Sequence, residues 1–184
     1  MAKFQLEGEK VILKKHQLKD AESYLKWLRD KEINQYLIQD GSGMSIEDEK
    51  KWIRSTWRAK DKKAFAILTK EGHTIGSIGL ENISQKNRSA SFGLFIGDRK
   101  YQNKGHGTDA VKTMLRYGFV ELGLNRIELG VFEKNKRAKK VYEKCGFVTE
   151  GFRRNTVYYK NQFINDYLMS ILKNDWEKIY GKKR

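Results

Sequence analysis

Gln102-Asn103-Lys104-Gly105-His106-Gly107-Thr108 is where the texture of the chain changes. Before it, Ala64–Thr69, Thr74–Glu81 and Ala90–Gly97 are apolar or alternating runs, separated by turns at Lys70-Glu71-Gly72-His73 and near Gln85-Lys86-Asn87. Three strands joined by such short turns predict an antiparallel meander. After it, Gly107–Leu122 carries Val111, Met114, Leu115, Gly118, Phe119 and Leu122 at helical spacing, an apolar stripe on one face. The stretch is therefore a polar, basic, glycine-punctuated passage from a strand into a helix. Its glycines permit torsions closed to other residues, and the first N–H groups of the helix lack intrahelical acceptors. Together with the helix dipole, those amides suit a phosphate or pyrophosphate. On spacing alone, a plain strand-to-helix turn stays open as the other reading.

Working outward, Val11-Ile12-Leu13 reads as a short first strand. Asp20 can cap a helix that carries Tyr24, Leu25 and Leu28 and ends near Asp30. Gly41-Ser42-Gly43 breaks the chain, and Ser45 with Asp48 forms a variant capping box for a helix that presents Ile46, Lys50, Ile53 and Trp57 on one face. Beyond the central helix, Arg126–Val131 alternates as a strand and Asn135–Lys144 is helical, stopped by Gly146 at a C′ position. Phe147–Arg154 and Gln162–Leu172 close as strands around a turn at Lys160-Asn161. The order β, α, α, βββ, α, β, α, β, β predicts one mixed α/β domain over residues 1–184, a central sheet with helices on its faces.

Composition limits the function classes. The 184 residues include 22 aromatics spread along the chain, enough for a packed core. There is no apolar run near the ~20 residues of a membrane span, and Met1–Lys15 lacks the apolar centre of a secretory signal. Cys145 is the single cysteine, so neither an intrachain disulfide nor a thiolate cluster can form. His16, His73 and His106 lack ligand spacing, and no metal is expected. These features fit a reducing cytoplasm. The 38 basic against 23 acidic residues give a net charge of +15, which predicts an anionic partner: nucleic acid, anionic lipid or a phosphorylated cofactor. Lys182-Lys183-Arg184 reads as a solvated end.

Two common phosphate loops are excluded. Lys104 precedes Gly105, so the Walker pattern is not met. The dinucleotide fingerprint would place Ala110 at its tolerated third position, but the preceding strand ends an antiparallel meander and no suitable ribose-binding carboxylate follows. A second segment narrows the field: Asn135-Lys136-Arg137-Ala138-Lys139-Lys140-Val141-Tyr142-Glu143-Lys144-Cys145-Gly146-Phe147. Asn135 can cap this helix, Ala138 and Tyr142 share a face at i, i+4, and five basic residues make it strongly cationic. Spacing alone equally allows a solvated basic face with Tyr142 as a core aromatic.

Taken together, the two segments resemble the GNAT superfamily of acetyl-CoA-dependent N-acyltransferases. Gln102 to Gly107 matches its Arg/Gln-x-x-Gly-x-Gly/Ala pyrophosphate loop, and Asn135 to Phe147 its Asn-x-x-Ala-x-x-x-Tyr-x-x-x-Gly-Phe signature. The likeness extends over nearly the whole chain. Glu150-Gly151-Phe152-Arg153 with Asp166 and Met169 is similar to the ribosomal-protein and spermidine acetyltransferase branch.

The resemblance implies a mostly antiparallel sheet of about seven strands with about four helices, whose fourth and fifth strands, Ser91–Gly97 and Ile127–Val131, splay around acetyl-CoA. Backbone groups of Phe95, Ile96 and Gly97 would pair with the pantetheine arm, as in strand addition. Amides of Gln102, Asn103, Lys104, Gly105, His106, Gly107 and Thr108 would hold the pyrophosphate. Lys104, Lys140 or Lys144 would approach the 3′-phosphate, and Asn135 would bond the cofactor arm. The implied reaction is acetyl transfer from the thioester to a primary amine on a protein N-terminus, a polyamine or another small molecule. An alkylammonium, with a pKa of about 10.4, must first lose its proton. A strand-four N–H would serve the oxyanion. Tyr142 matches the family's general acid for the departing thiolate.

The general base departs from the pattern. Where many relatives carry glutamate early in strand four this chain has Ser91, so Glu81 at the end of the preceding strand is the candidate, with a water relay as the other route. His106 is expected to contribute only its amide, and Cys145 to be a small buried hydrophobe. Trp27, Tyr36 and Trp57 are expected around the acceptor. A homodimer is left open, and neither nucleic acid nor membrane is expected as partner. The competing readings are a CoA-binding protein without catalysis and a basic nucleic-acid-binding domain.

Overall fold

The computed structural model describes residues 5–37 and 41–181. The sequence reading of the basic tail, and the first four residues of the amino-terminal stretch, fall outside this range. Strands β1 (Gln5–Glu7) and β2 (Val11–Lys14) precede helix α1 (Ala21–Arg29), the single turn α2 (Lys31–Asn34) and α3 (Ile46–Arg58). The meander follows as β3 (Lys63–Thr69), β4 (Thr74–Ser84) and β5 (Ser89–Ile96). Next come α4 (His106–Arg116), β6 (Arg126–Phe132), α5 (Lys136–Lys144), β7 (Val148–Tyr159), β8 (Gln162–Leu172) and α6 (Lys173–Tyr180).

These strands form one sheet in the order β1-β2-β3-β4-β5-β6-β8-β7. Every neighbouring pair is antiparallel except β5 and β6. The expected fourth and fifth strands are β5 and β6, because β1 adds a strand ahead of the first one read from the sequence. Sheet and class agree with expectation; the described residues hold eight strands and six α-helices rather than about seven and four. β1 escaped because it has three residues and a single buried side chain, Leu6, too short a stretch to show a period. Helix α6 escaped because it has no side-chain cap and no fully buried residue. It docks instead through Trp176 against Phe119, ring centroids 5.6 Å apart, and through the Tyr180 hydroxyl, which donates to Cys145 O at 3.3 Å.

The stripe of the central helix packs as its spacing predicts. Val111, Met114, Leu115 and Phe119 are fully buried against the sheet, each such side chain contributing about 1.5–3 kcal/mol through removal from water. The α-helix stops at Arg116, however, six residues before the expected end. Tyr117–Glu121 forms a wider turn in which Leu122 N bonds five residues back to Tyr117 O. Gly118 occupies this turn with the Ile127 side chain so close that a Cβ would lie 2.7 Å from Ile127 Cδ1.

The register of β5 and β6 positions the site. They pair in parallel through only three residue pairs, Ser89–Arg126, Ala90–Ile127 and Ser91–Glu128. Beyond Ser91, β6 continues to Phe132 on its other neighbour, β8, while β5 continues to Ile96 on β4. The two strands therefore part company at Phe92 and leave a gap in the sheet.

Candidate active site

The gap opens into a cleft of about 760 Å³. One wall is β5 from Phe92 to Ile96, the other is Gly130–Phe132 of β6, and the loop before α4 and the face of α5 close its ends. Gly97 N donates to Ile75 O at 2.9 Å, toward β4. Alternation along the strand then turns the backbone groups of Leu94 and Ile96 toward the gap and those of Phe95 toward β4. The side-chain amide of Gln102 donates to Ile96 O at 2.8 Å from the gap side. Gly97 thus does not line the cleft, and Phe95 lines it without offering its backbone groups to it, both contrary to expectation, because those groups face β4 inside the sheet. Leu94, which the sequence did not single out, takes its place.

The loop 102–108 is held in shape from outside. Gly105 is the N-cap of α4 at φ 86°, a torsion that a side chain would strain. Lys10 Nζ donates to Lys104 O at 3.0 Å. The buried Asp109 carboxylate accepts the amides of Glu9 (3.1 Å), Lys10 (2.7 Å) and Val11 (3.0 Å), tying the first turn of α4 to the start of β2. Within the loop, the amides of residues 103–108 have no acceptor among the described residues. They are the orphan donors that the glycine spacing predicts, in a conformation fixed by other contacts.

Of the predicted loop residues, Gln102, Asn103, Gly105, Gly107 and Thr108 line the cleft. Lys104 and His106 do not. The Lys104 carbonyl is bound by Lys10, and the His106 ring lies edge-on to Tyr101 with Nδ1 3.2 Å from Tyr101 O. From the second segment, Asn135, Lys140, Tyr142 and Lys144 all line the cleft. Asn135 Oδ1 accepts from Ala138 N at 3.1 Å as the cap of α5. Arg137, absent from the expected set, also lines it and donates to Gln102 Oε1 at 2.8 Å, so the two segments touch. Its cationic chemistry was visible in the sequence, but its pairing with a glutamine 35 residues away was not.

Tyr142 is buried, its ring against Phe92 and Phe147 at 5.9 and 5.7 Å. Burial pushes its phenol above the ordinary range, so it is protonated at neutral pH. Its hydroxyl has no hydrogen-bond partner among the described residues. Cys145 is fully buried with its thiol pushed up to about 11 by burial, which leaves it inert as a nucleophile. An ion pair between the exposed Arg153 and the buried Asp166 also lines the cleft: Arg153 Nε and Nη2 donate to the Asp166 carboxylate at 2.9 and 2.5 Å, and Thr156 Oγ1 adds a bond at 3.0 Å. Glu150 is spent elsewhere, between Arg126 and Ser170, with the Arg126 guanidinium holding its carboxyl down at about 2.

Glu81 is not in this cleft. It lines an adjoining pocket of about 450 Å³ together with Ser91, its partner across β4 and β5, and pairs with Lys62 at 2.5 Å. The two cavities share Phe92–Phe95 and Leu37. Of the aromatics expected around an acceptor, Tyr36 lines the large cleft, Trp27 is core packing against Tyr24 and Phe95, and Trp57 lines a third cavity beside Lys15. The adjoining pocket carries Tyr24 and Trp52 instead. Among the described residues no group of three or more His, Cys, Asp or Glu could hold a metal, and no helix is long and apolar enough to cross a membrane.

A parted parallel strand pair, a loop of amides without acceptors among the described residues at a helix start and a buried tyrosine thus line one cleft. Residues 10–148 match the family model for the acetyltransferase (GNAT) domain, and the chain belongs to that family of acyl-CoA-dependent transferases. It is 31% identical over 171 residues to an uncharacterised N-acetyltransferase, p20, of Bacillus licheniformis, covering 91% of this chain and 96% of that one. It is 28% identical over 175 residues to a Bacillus subtilis protein bearing the name ribosomal N-acetyltransferase YdaF, with coverage of 92% and 95%. The solved spermidine N-acetyltransferase of Vibrio cholerae with CoA and spermine superposes with a TM-score of 0.83 at 23% identity, over 91% of this chain and 98% of that one, a likeness of fold.

Proposed function

We propose that this chain transfers an acetyl group from acetyl-CoA directly to a primary amine, with Tyr142 as general acid. The observation that carries the reading is that one cleft is bordered by Tyr142 and by Asn103, Gly105, Gly107 and Thr108, whose amides have no acceptor among the described residues. The amides and the start of α4 hold the diphosphate. Lys140 and Lys144 lie along the same wall and suit the 3′-phosphate. Leu94 and Ile96 present backbone groups to the pantetheine amides in the manner of an added strand. A β5 N–H facing the gap stabilises the oxyanion of the tetrahedral intermediate.

The amine enters from the adjoining pocket, which shares β5 with the cleft. It arrives protonated and must shed a proton before its lone pair attacks. Glu81, fixed by Lys62 beside Ser91, is the nominated proton acceptor, reached directly or through water. As the carbon–sulfur bond breaks, Tyr142 gives its proton to the thiolate and is restored by the proton leaving the new amide nitrogen. The acceptors in view are a protein N-terminus, a polyamine or another small amine. Titration calorimetry with acetyl-CoA, CoA and a DNA duplex tests the reading, joined to thiol release over an amine panel. Micromolar binding of acetyl-CoA with amine-dependent thiol release is the expected result. Binding without release would leave a CoA-binding protein, and heat with DNA alone a nucleic-acid-binding domain.

A further inference from the structure

Glu49 is the buried charge that the fold leaves unexplained. It sits in the second turn of α3, only 3% exposed, and lines the 450 Å³ pocket beside the cleft. Among the described residues its carboxylate has no hydrogen-bond or ion-pair partner, although nearly every other buried polar side chain is bonded. His16 reaches Tyr24, Asp20 holds Gln17 N and Thr74, Asp109 holds three amides, and Asp166 holds Arg153. Its oxygens are not sealed into the core but reach the pocket, so a carboxylate largely withdrawn from water is left to be completed by what enters there. The other charged groups of this pocket, Lys62 and Glu81, satisfy one another.

The surroundings specify the ligand. Tyr24 and Trp52 border the pocket, the Trp52 ring already carrying Lys62 Nζ at 5.5 Å from its centroid, while Leu28, Leu37 and Met44 form an apolar wall and Glu49 supplies a carboxylate without a partner among the described residues. That combination fits an ammonium on a hydrocarbon stem, held by a charge-assisted hydrogen bond with its stem on the apolar wall. Because the pocket shares Phe92–Phe95 with the cleft, a cation seated there borders the strand along which the thioester would lie. Burial, with Asp48 adding a like charge, raises the Glu49 carboxyl above its ordinary value.

We infer that Glu49 is the specificity-determining residue of the acceptor pocket, docking the acceptor's ammonium against its carboxylate before the proton leaves and the lone pair attacks. The inference rests on the transferase reading and adds the residue that selects a cationic acceptor over a neutral one. A structural role predicts something different: removing the charge would then loosen the fold and affect all acceptors equally.

The test compares Glu49→Gln with the wild type on benzylamine, a cation at neutral pH, and aniline, which is uncharged there, by thiol release at saturating acetyl-CoA. Thermal unfolding and the KM for acetyl-CoA are measured alongside. The expected result is a KM for benzylamine raised roughly tenfold to a hundredfold, the loss of one charge-assisted contact. The KM values for aniline and acetyl-CoA stay unchanged, and the Tm is equal or higher. Glu49→Asp recovers part of the benzylamine KM. An unchanged benzylamine KM, or equal losses on both amines with a lowered Tm, overturns the inference. If Glu49→Gln does not fold, Glu49→Met takes its place with the same readings. A wild type that binds acetyl-CoA but acetylates no amine overturns the transferase reading itself, and the role of Glu49 with it.

Discussion

Arg137 donates to the side-chain oxygen of Gln102 at 2.8 Å, and the nitrogen of the same amide donates to Ile96 O at 2.8 Å. One glutamine therefore joins the glycine loop to α5 on one side and to the parted end of β5 on the other. Removing it frees the loop from both walls of the cleft. Gln102→Ala and Arg137→Ala should each weaken acetyl-CoA binding, and the double variant should lose less than the sum. A coupling of about 0.5–1.5 kcal/mol is expected for such a bond. Calorimetric Kd values for the four proteins of the cycle decide it, and strict additivity would show that the contact does not shape the binding site.

Tyr142→Phe removes the proposed proton donor and keeps the ring against Phe92 and Phe147. The kcat should fall by about 10²–10⁴, the usual contribution of a positioned acid. Binding of acetyl-CoA and the Tm should stay near the wild-type values, because the hydroxyl has no partner among the described residues. Full turnover by the variant across the pH range would remove Tyr142 from the mechanism.

His16 predicts an acid sensitivity. It is buried, its Nε2 has no bonding partner among the described residues, and burial lowers its pKa from 6.5 to about 3, with Lys62 assisting. The unfolded chain then binds a proton between these values that the folded chain refuses. Stability from this residue is complete above about pH 6.5 and is lost as pH falls toward 3, at up to about 1.4 kcal/mol per unit. Urea unfolding at pH 7 and pH 5 should show a wild-type loss exceeding that of His16→Gln by roughly 2 kcal/mol. Parallel losses in the two proteins would mean that the imidazole takes up its proton without unfolding.

Asp109 predicts a stability effect coupled to function. Its carboxylate accepts three amides of the β1–β2 turn, and Asp109→Ala leaves all three buried or half-buried without acceptors. A loss of about 3–5 kcal/mol is expected. Because the same residue fixes the first turn of α4, acetyl-CoA should also give a smaller rise in Tm. A variant with wild-type Tm would show that water replaces the carboxylate there.

Much of this molecule is legible in the sequence because its signals are local. The meander, the Ser45–Asp48 capping box, the Asn135 cap and the Gly146 stop all rest on torsions and hydrogen bonds within a few residues. So do the orphan amides, which follow from a glycine-rich turn entering a helix. Glu81 and the three expected acceptor aromatics were harder to place. Their positions depend on which side of β4 a cavity opens and on how α1 and α3 lean on the sheet, and no short-range pattern encodes that. Glu49 was invisible for the same reason: in sequence it is one of three consecutive acids opening a helix, and only packing separates it from Glu47 and Asp48.

The amino-acid order alone settled the class of fold, the glycine turn that enters α4 and the helix carrying Tyr142, since periodicity, capping and glycine torsions act over a few residues. Tertiary structure decided where β5 and β6 part, that Gln102 meets Arg137, that Gly97 turns its amide away from the cleft, and that a carboxylate stands alone in the neighbouring pocket. Those outcomes arise from contacts between residues tens of positions apart. Their energies depend on burial and mutual orientation, quantities that exist only once the sheet and its helices have packed.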